Sequence, residues 1–506
     1  MHTKKRKLMF NTFSAFAFRV ITIICGFILP RLILKAYGSE VNGLITSITQ
    51  FLGVISFLEL GVGAVIQSSL YKPLAEKNKN EISQVLVSGR KFFRKLSLIL
   101  LCYIFILFFI YPVIANQDFG YIYTASMIVI ISISSFAQYY FGIINSLLLS
   151  ADQKGYITYN IQIVTLLLNT FACVIFIKLG AGIHIVKLAT SVIYALRPLA
   201  LYVYVNKHYE INWKVLYDKE PIKQKWNGVS QHIAAVVLDG TDSIVLTIFE
   251  SLKAVSIYSV YNIVVVGIKD LLLSMTNGIQ SLFGELWAKK EIDKLYDFFG
   301  YVEWVIHTVT ILAFGITSVL IVPFVMVYTE GISDINYIQP VFAFLLVLAN
   351  AGHCLRLPYN IMILAAGHYK QTQHNYIIAS TLNIVLSIIA VNRYGLVGVV
   401  IGTVVAMFYQ TFWMAWYNSK NLVEWPMKRF FKQVFVDAVI ILAIQLVGKI
   451  PIFESFLRMN QISYISWIVL AIKLSIICVI ISILVNIVFY KKNLHILMSE
   501  IKSIKK

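Results

Sequence analysis

Apolar runs separated by short polar stretches recur along the whole chain. Runs of about 18 residues or more with few charges predict helices that span a bilayer. They place fourteen such helices, at about 8–34, 43–70, 96–115, 122–149, 157–178, 184–205, 229–249, 254–284, 301–327, 337–364, 373–391, 396–417, 434–450 and 463–489. The least regular is 434–450, which is short and carries Asp437. No long polar stretch remains for a soluble domain. The expected fold is an all-α polytopic membrane protein.

The pattern repeats internally. Ile66-Gln67-Ser68 falls on Ile279-Gln280-Ser281 at an offset of 213, with Ala75 on Ala288 and Lys77 on Lys290. Asn145 meets Asn360 and Ala151 meets Ala366 at 215, and Asn169 meets Asn383 at 214. The unit is six helices. Six is even, so both copies share one orientation, and a pseudo-two-fold axis along the membrane normal is expected, with a substrate path at the interface. This organises the chain as an N-terminal six-helix lobe (1–205), a basic connection (206–228), a C-terminal six-helix lobe (229–417), and helices 13 and 14 with a basic tail (418–506). Gly398 and Gly402 form a GxxxG, which permits close helix packing.

Polar residues inside the spans carry the candidate chemistry. Arg19 lies eleven residues past Leu8, about 16 Å along a helix and so near the middle of a hydrocarbon core about 30 Å thick. Asn11, Ala15, Arg19, Thr22 and Gly26 keep one face of the first helix. Asn262, Lys269, Thr276 and Gln280 do so in the eighth, and His232, Asp239 and Asp242 in the seventh. Asn350, His353, Arg356 and Asn360 crowd one side of the tenth, and Arg197 precedes Pro198, a kink candidate, in the sixth. A charge held at such depth faces a cavity or another helix, not lipid. One reading is a hydrated cationic cavity between the two halves. The candidate substrate-binding cations are Arg19, Lys269, Arg197 and Arg356. The candidate ion-coupling groups are Asp239, Asp242, Glu59 and His232. The other reading is internal ion pairing, Arg19 or Lys269 with Asp239 or Asp242. Arg31, Lys187, Glu303 and Arg356 lie within reach of an interface and can snorkel. His307 reads as an ordinary polar helix residue.

Composition agrees with a membrane protein. The 506 residues are 59% hydrophobic and 13% charged, with a mean hydropathy of +0.78. The net charge is +19, and its position explains it. Thirty Lys and Arg fall in the termini and even-numbered connections, against six in the odd-numbered ones. That bias places both termini in the cytoplasm. It leaves no basic patch interleaved with stacking aromatics, so nucleic acid is set aside. The five cysteines lie in apolar segments without metal or disulfide spacing and read as small buried hydrophobes. No GxxxxGK[ST], HExxH, GxSxG or selectivity-filter sequence occurs. No catalytic residue, metal ligand or cofactor is indicated, and a carrier is expected instead of an enzyme. The outside connections are short, which argues against a polysaccharide polymerase or another membrane enzyme with an external acceptor domain.

The stretch LPRLILKAYGSEVNGLITSITQFLGVISFLELGVGAVIQSSLYKPLAEKN at 29–78, with two parallel sixes plus two helices, resembles the Wzx-type polysaccharide flippases of the multidrug/oligosaccharidyl-lipid/polysaccharide exporter superfamily. The resemblance implies a V-shaped, alternating-access carrier in the bacterial cytoplasmic membrane. It would flip a polyprenyl-pyrophosphate-linked oligosaccharide from the inner to the outer leaflet for surface polysaccharide synthesis. It also implies membrane lipids, a polysaccharide polymerase and chain-length machinery as partners. In that branch, cations of the first and eighth helices line the cavity, the helices that carry Arg19 and Lys269 here. Arg offers a fork matched to phosphate oxygens, and Lys a point charge. A drug/cation antiporter shares the superfamily, but it would favour an acidic, aromatic cavity.

Overall fold

The computed structural model describes residues 2–58, 60–115, 119–217, 220–222, 229–274, 276–450 and 463–504. Among these the structure is helical, with no strand. Eleven helices are long and apolar enough to cross a membrane. Two of them hold two spans each: α1 (His2–Gly53) turns at Gly38, and α14 (Tyr369–Asn421) turns at Gly395. With α8 (Val229–Phe249) the described residues hold fourteen spans, as the hydropathy pattern predicts. The protein is a multi-pass membrane protein.

The chain divides into two compact units, Met1–Ser256 and Ile257–Lys506. The first contains α1 to α8: after α1 come α2 (Leu60–Glu76), α3 (Lys79–Ile114), α4 (Tyr121–Ala137), a π-helical turn (Gln138–Gly142), α5 (Ile143–Ala151), α6 (Gly155–Lys178), α7 (Ile183–His208) and α8. α9 (Leu252–Ser274) opens at its end. The second continues with α10 (Thr276–Ala288), α11 (Ile292–Tyr328), α12 (Pro340–Leu355), α13 (Leu357–Ala365) and α14. α15 (Met427–Gly448), α16 (Tyr464–Phe489) and the amphipathic α17 (Lys491–Ile504) follow.

The duplication shows in the backbone. Lys77 and Lys290 both adopt left-handed φ, 55° and 58°, at the ends of α2 and α10. Gln153 and Gly367 do so after α5 and α13, at 56° and 74°. Gly180 and Gly395 do so after α6 and inside α14, at 73° and 53°. The offsets are those of the sequence repeat. The Lys and Gln turns close alike: Asn78 N–H donates to the Pro73 carbonyl and Glu291 N–H to that of Leu286, while Lys154 N–H reaches Leu149. This six-to-one bond marks a helix terminated by a left-handed residue. Glycine fills that conformation without strain, whereas other residues carry a cost. Gln153→Gly is therefore expected to stabilise the protein by about 1 kcal/mol, read as a raised unfolding midpoint in detergent; an unchanged midpoint would mean the turn is unstrained.

Small residues set the tightest approaches. A Cβ on Gly43 would lie 1.8 Å from the Leu252 carbonyl oxygen, so only glycine admits that contact. Around it, Asn42 donates to Ser256 (2.9 Å), Ser47 bonds Thr247 (2.6 Å), Tyr111 donates to Ser47 (2.7 Å) and Lys253 pairs with Glu40 (2.8 Å). These residues belong to the 29–78 stretch and the chain it packs on. In α14, Gly398 and Gly402 lie against the backbone of Ala390 and Asn383, with Asn383 donating to Thr403 and Ser387 to the Val399 carbonyl, each at 2.9 Å. The GxxxG is thus the seam of the hairpin that α14 makes at Gly395. α15 and α16 pack on α11 through Ile311, Leu320, Val436, Ile440, Ile444, Leu470, Leu474 and Cys478. Four cysteines are buried as expected; Cys102 is exposed.

Candidate functional site

Within the first unit a polar cavity of about 290 Å³ opens beside Arg197. α4 and its π turn contribute Ser134, Ser135 and Gln138, α6 contributes Thr158 and Gln162, and α7 contributes Tyr194 and Arg197. π turns inside α-helices often mark functional sites. This one ends at Gly142, where a Cβ would stand 2.8 Å from the Pro198 ring carbon. α7 runs through Pro198 without leaving helical geometry, although the proline supplies no N–H to the turn before it. The guanidinium of Arg197 is set by two anchors: its Nε donates to Thr165 Oγ1 (2.6 Å), and its plane lies 3.9 Å from the centre of the Tyr194 ring. Tyr194 in turn accepts from Asn169 (3.1 Å). Among the described residues no carboxylate lines this cavity. It presents a cation, hydroxyls and amides, a set that complements phosphate and sugar hydroxyl groups.

Arg19 lies exposed on α1. The ends of its transmembrane segment are fixed. Asn11 donates to the Gln153 carbonyl (2.8 Å) and accepts from Tyr156 N–H (2.7 Å), and Tyr37 donates to the Ala181 carbonyl (2.6 Å). Lys7 reaches Asp152 (3.4 Å), which also binds Lys154 (2.7 Å) and Tyr209 (2.5 Å). Burial opposes the Asp152 charge, but hydrogen bonds from Lys154 and Tyr209 and the charges of Lys154 and Lys7 outweigh it, holding the carboxyl below its ordinary pKa. The stabilisation it contributes is present at neutral pH and fades as pH falls through that lowered value. Between these clamps α1 has three sides. Ser14 and Cys25 are buried. Met9, Phe13, Phe16, Val20 and Ile24 are exposed and share a second side. The Asn11–Gly26 polar stripe is the third, and Gly26 has nothing within 4 Å of where a Cβ would be.

Lys269 is buried in α9, and Asp242 in α8. Arg356, between α12 and α13, is 6% exposed. It donates to Gln410 and contacts the His353 ring (3.2 Å), so it does not snorkel as its sequence position suggests. Glu59 and the side chains of His232 and Asp239 lie outside the described residues. Among the described residues no group of His, Cys, Asp and Glu is arranged to hold a metal.

The second unit holds a polar network that sequence reasoning passed over. Glu303 and His307 of α11, Tyr359 of α13 and Asp437 of α15 are all buried. His307 Nδ1 meets Asp437 at 2.6 Å, and Gln433 donates to the other Asp437 oxygen at 2.9 Å. Tyr359 donates to Glu303 at 2.5 Å and lies 3.5 Å from His307 Nε2; Trp425 donates to the second Glu303 oxygen at 2.9 Å. Glu303 therefore points into the bundle and does not snorkel. The available signal was two polar pairs spaced by four, Glu303/His307 and Gln433/Asp437, among the apolar residues of their spans.

No protein-family model matches the chain, and no curated protein matches it by sequence. Solved structures do. The lipid II flippase MurJ in an inward closed conformation is similar over 96% of this chain and 99% of its own, with a TM-score of 0.68 and 14% identity. An inward-facing multidrug resistance MATE family transporter of the MOP superfamily is similar over 79% and 94%, with a TM-score of 0.62 and 13% identity. The MATE multidrug transporter DinF-BH in complex with R6G is similar over 82% and 94%, with a TM-score of 0.54 and 15% identity. At this identity the likeness establishes architecture: the chain has the fold shared by the MurJ flippase and the MATE transporters.

Proposed function

We propose that the protein is a flippase that carries a polyprenyl-pyrophosphate-linked oligosaccharide across the bacterial cytoplasmic membrane, both termini facing the cytoplasm, for surface polysaccharide synthesis. The observation that carries this reading is the Arg197 cavity, with its guanidinium, hydroxyls and amides and, among the described residues, no carboxylate in its lining. A pyrophosphate carries about two charges and crosses hydrocarbon only if those charges are met. A sugar needs hydrogen-bond partners of both kinds. The likeness to a lipid II flippase over nearly the whole chain supports a lipid-linked substrate. The likeness to multidrug transporters supports the competing reading, cation efflux, but a cavity without an acid suits a cationic drug poorly.

Arg19, Lys269 and Arg356 are proposed to add positive charge along the headgroup's route, and Asp242 with Asp239, Glu59 and His232 to couple transport to protons or sodium. A transport rate indifferent to both gradients would remove the coupling proposal. The substrate reading is tested in a deletion strain fed radiolabelled sugar. The polyprenyl-linked lipids are extracted after an external glycosidase has been applied to intact cells. Single-repeat lipid protected from the enzyme is expected in the deletion strain, cleared by the wild-type gene and not by an Arg19→Ala copy. Identical lipids with and without the gene would overturn the substrate class and direct the assay to cation efflux.

A further inference from the structure

The second unit contains another cavity, of about 720 Å³, where α15, α16, α17 and the start of α11 meet. Five cations line it: Lys428, Arg429 and Lys432 from the opening turns of α15, and Lys491 and Lys492 from the opening of α17. Two carboxylates line it as well, Asp297 and Glu303. Glu303 is already held by Tyr359 and Trp425. Among the described residues none of the five cations is paired with a carboxylate. Their placement is unfavourable by itself, because the first turn of a helix carries partial positive charge and disfavours further cations. Five cations gathered at two helix openings, against two carboxylates in the same lining, leave an excess of positive charge that a bound anion would relieve.

The side chains are held ready. Arg429 stacks on Trp425 and Tyr296, 4.6 and 5.1 Å from the ring centres. Lys432 lies 4.4 Å from the Tyr490 ring and donates to the Phe489 carbonyl at 2.9 Å. One wall leads onto an apolar face. Phe489 lines the cavity and contacts Phe435. Phe431, Phe435, Leu484 and Val488 are all exposed, by 55–74%. The cavity lies at the end of the α16 span, the level of lipid headgroups, on the side that the Lys and Arg bias assigns to the cytoplasm. α17 continues from it as an amphipathic helix, the pattern of a helix lying in the interface.

We propose that this cavity binds the phosphate of an anionic phospholipid headgroup, with the acyl chains along the exposed faces of α15 and α16. It is a lipid site separate from the translocated substrate, and it can fail while the transport reading stands. The test is binding alone. Full-length protein is purified into neutral detergent and titrated with phosphatidylglycerol or phosphatidylcholine, and bound lipid is counted by native mass spectrometry. Phosphatidylglycerol is expected to bind at least about tenfold more tightly, because clustered Lys and Arg at the bilayer surface attract anionic headgroups. Lys428→Gln/Arg429→Gln/Lys432→Gln should lose at least that factor. Lys491→Gln/Lys492→Gln, which alters only exposed side chains, should lose several-fold, and Lys289→Gln/Lys294→Gln, outside the cavity, should lose nothing. Equal binding of both lipids, equal loss in the outside variant, or inorganic phosphate displacing the lipid at equal concentration would overturn the proposal; the last would make it a site for a soluble phosphate.

Discussion

Arg197→Ala is expected to lower translocation of the lipid-linked sugar about a hundredfold while leaving the protein folded. A hydrogen bond to a charged group contributes about 1.5–3 kcal/mol, and about 2.8 kcal/mol corresponds to a factor of one hundred. The loss should fall on transport because the anchors of Arg197 keep partners without it. Thr165 still donates to the Ile161 carbonyl (2.8 Å), and Tyr194 still accepts from Asn169. Arg197→Lys keeps the charge but loses the planar fork and the stack on Tyr194, so an intermediate rate is expected, about tenfold below wild type. The measurement is the fraction of labelled glycan reached by external glycosidase, normalised to folded protein. A full rate in Arg197→Ala would remove this cavity from the substrate path. Full loss in both variants, with folding intact, would say that the fork matters and charge alone does not.

Much of this architecture is readable in the chain because the bilayer imposes simple rules. Every backbone group must be satisfied within a helix, so span length and apolarity locate the helices. The repeat was visible through a few matched residues, and Lys77 and Lys290 prove to share a backbone conformation that a duplicated turn would preserve. The GxxxG of α14 packs as its spacing implies. Arg197 is visible as a cation in a span, but its cavity is not, since Ser134 and Gln138 come from one helix and Thr158 and Gln162 from another, and no linear pattern reveals that these sides face each other and Arg197. The same limit hid the second-unit network. Glu303 near a helix end looks able to reach water, and only packing shows Trp425 closing over Gly300, where a Cβ would stand 2.3 Å from the indole. The position of Arg356 in the chain likewise allows it to reach an interface, and only packing shows it held by Gln410 and beside His353.

Asp437 made the thirteenth span the weakest of the fourteen by sequence, and its removal is expected to cost the second unit more than its presence does. Asp437→Ala should destabilise the protein by about 3–5 kcal/mol, the range for breaking a buried charged pair. His307 is fully buried and would lose its partner at 2.6 Å, while Gln433 would lose its acceptor at 2.9 Å. Neither has water to turn to, and α15 packs through Val436, Ile440 and Ile444 on both sides of the gap. Asp437→Asn keeps an oxygen for one donor and should cost less, about 1–3 kcal/mol, the desolvation cost of one unsatisfied group. Unfolding in mixed micelles measures both. The cycle of His307→Ala, Asp437→Ala and the double variant then separates pairing from packing: a coupling energy of at least about 1 kcal/mol is expected for residues in direct contact. Strict additivity would mean that the two residues are stabilised independently, Asp437 by Gln433 and His307 by the Leu355 backbone, and that the acid in helix 13 is tolerated without its histidine.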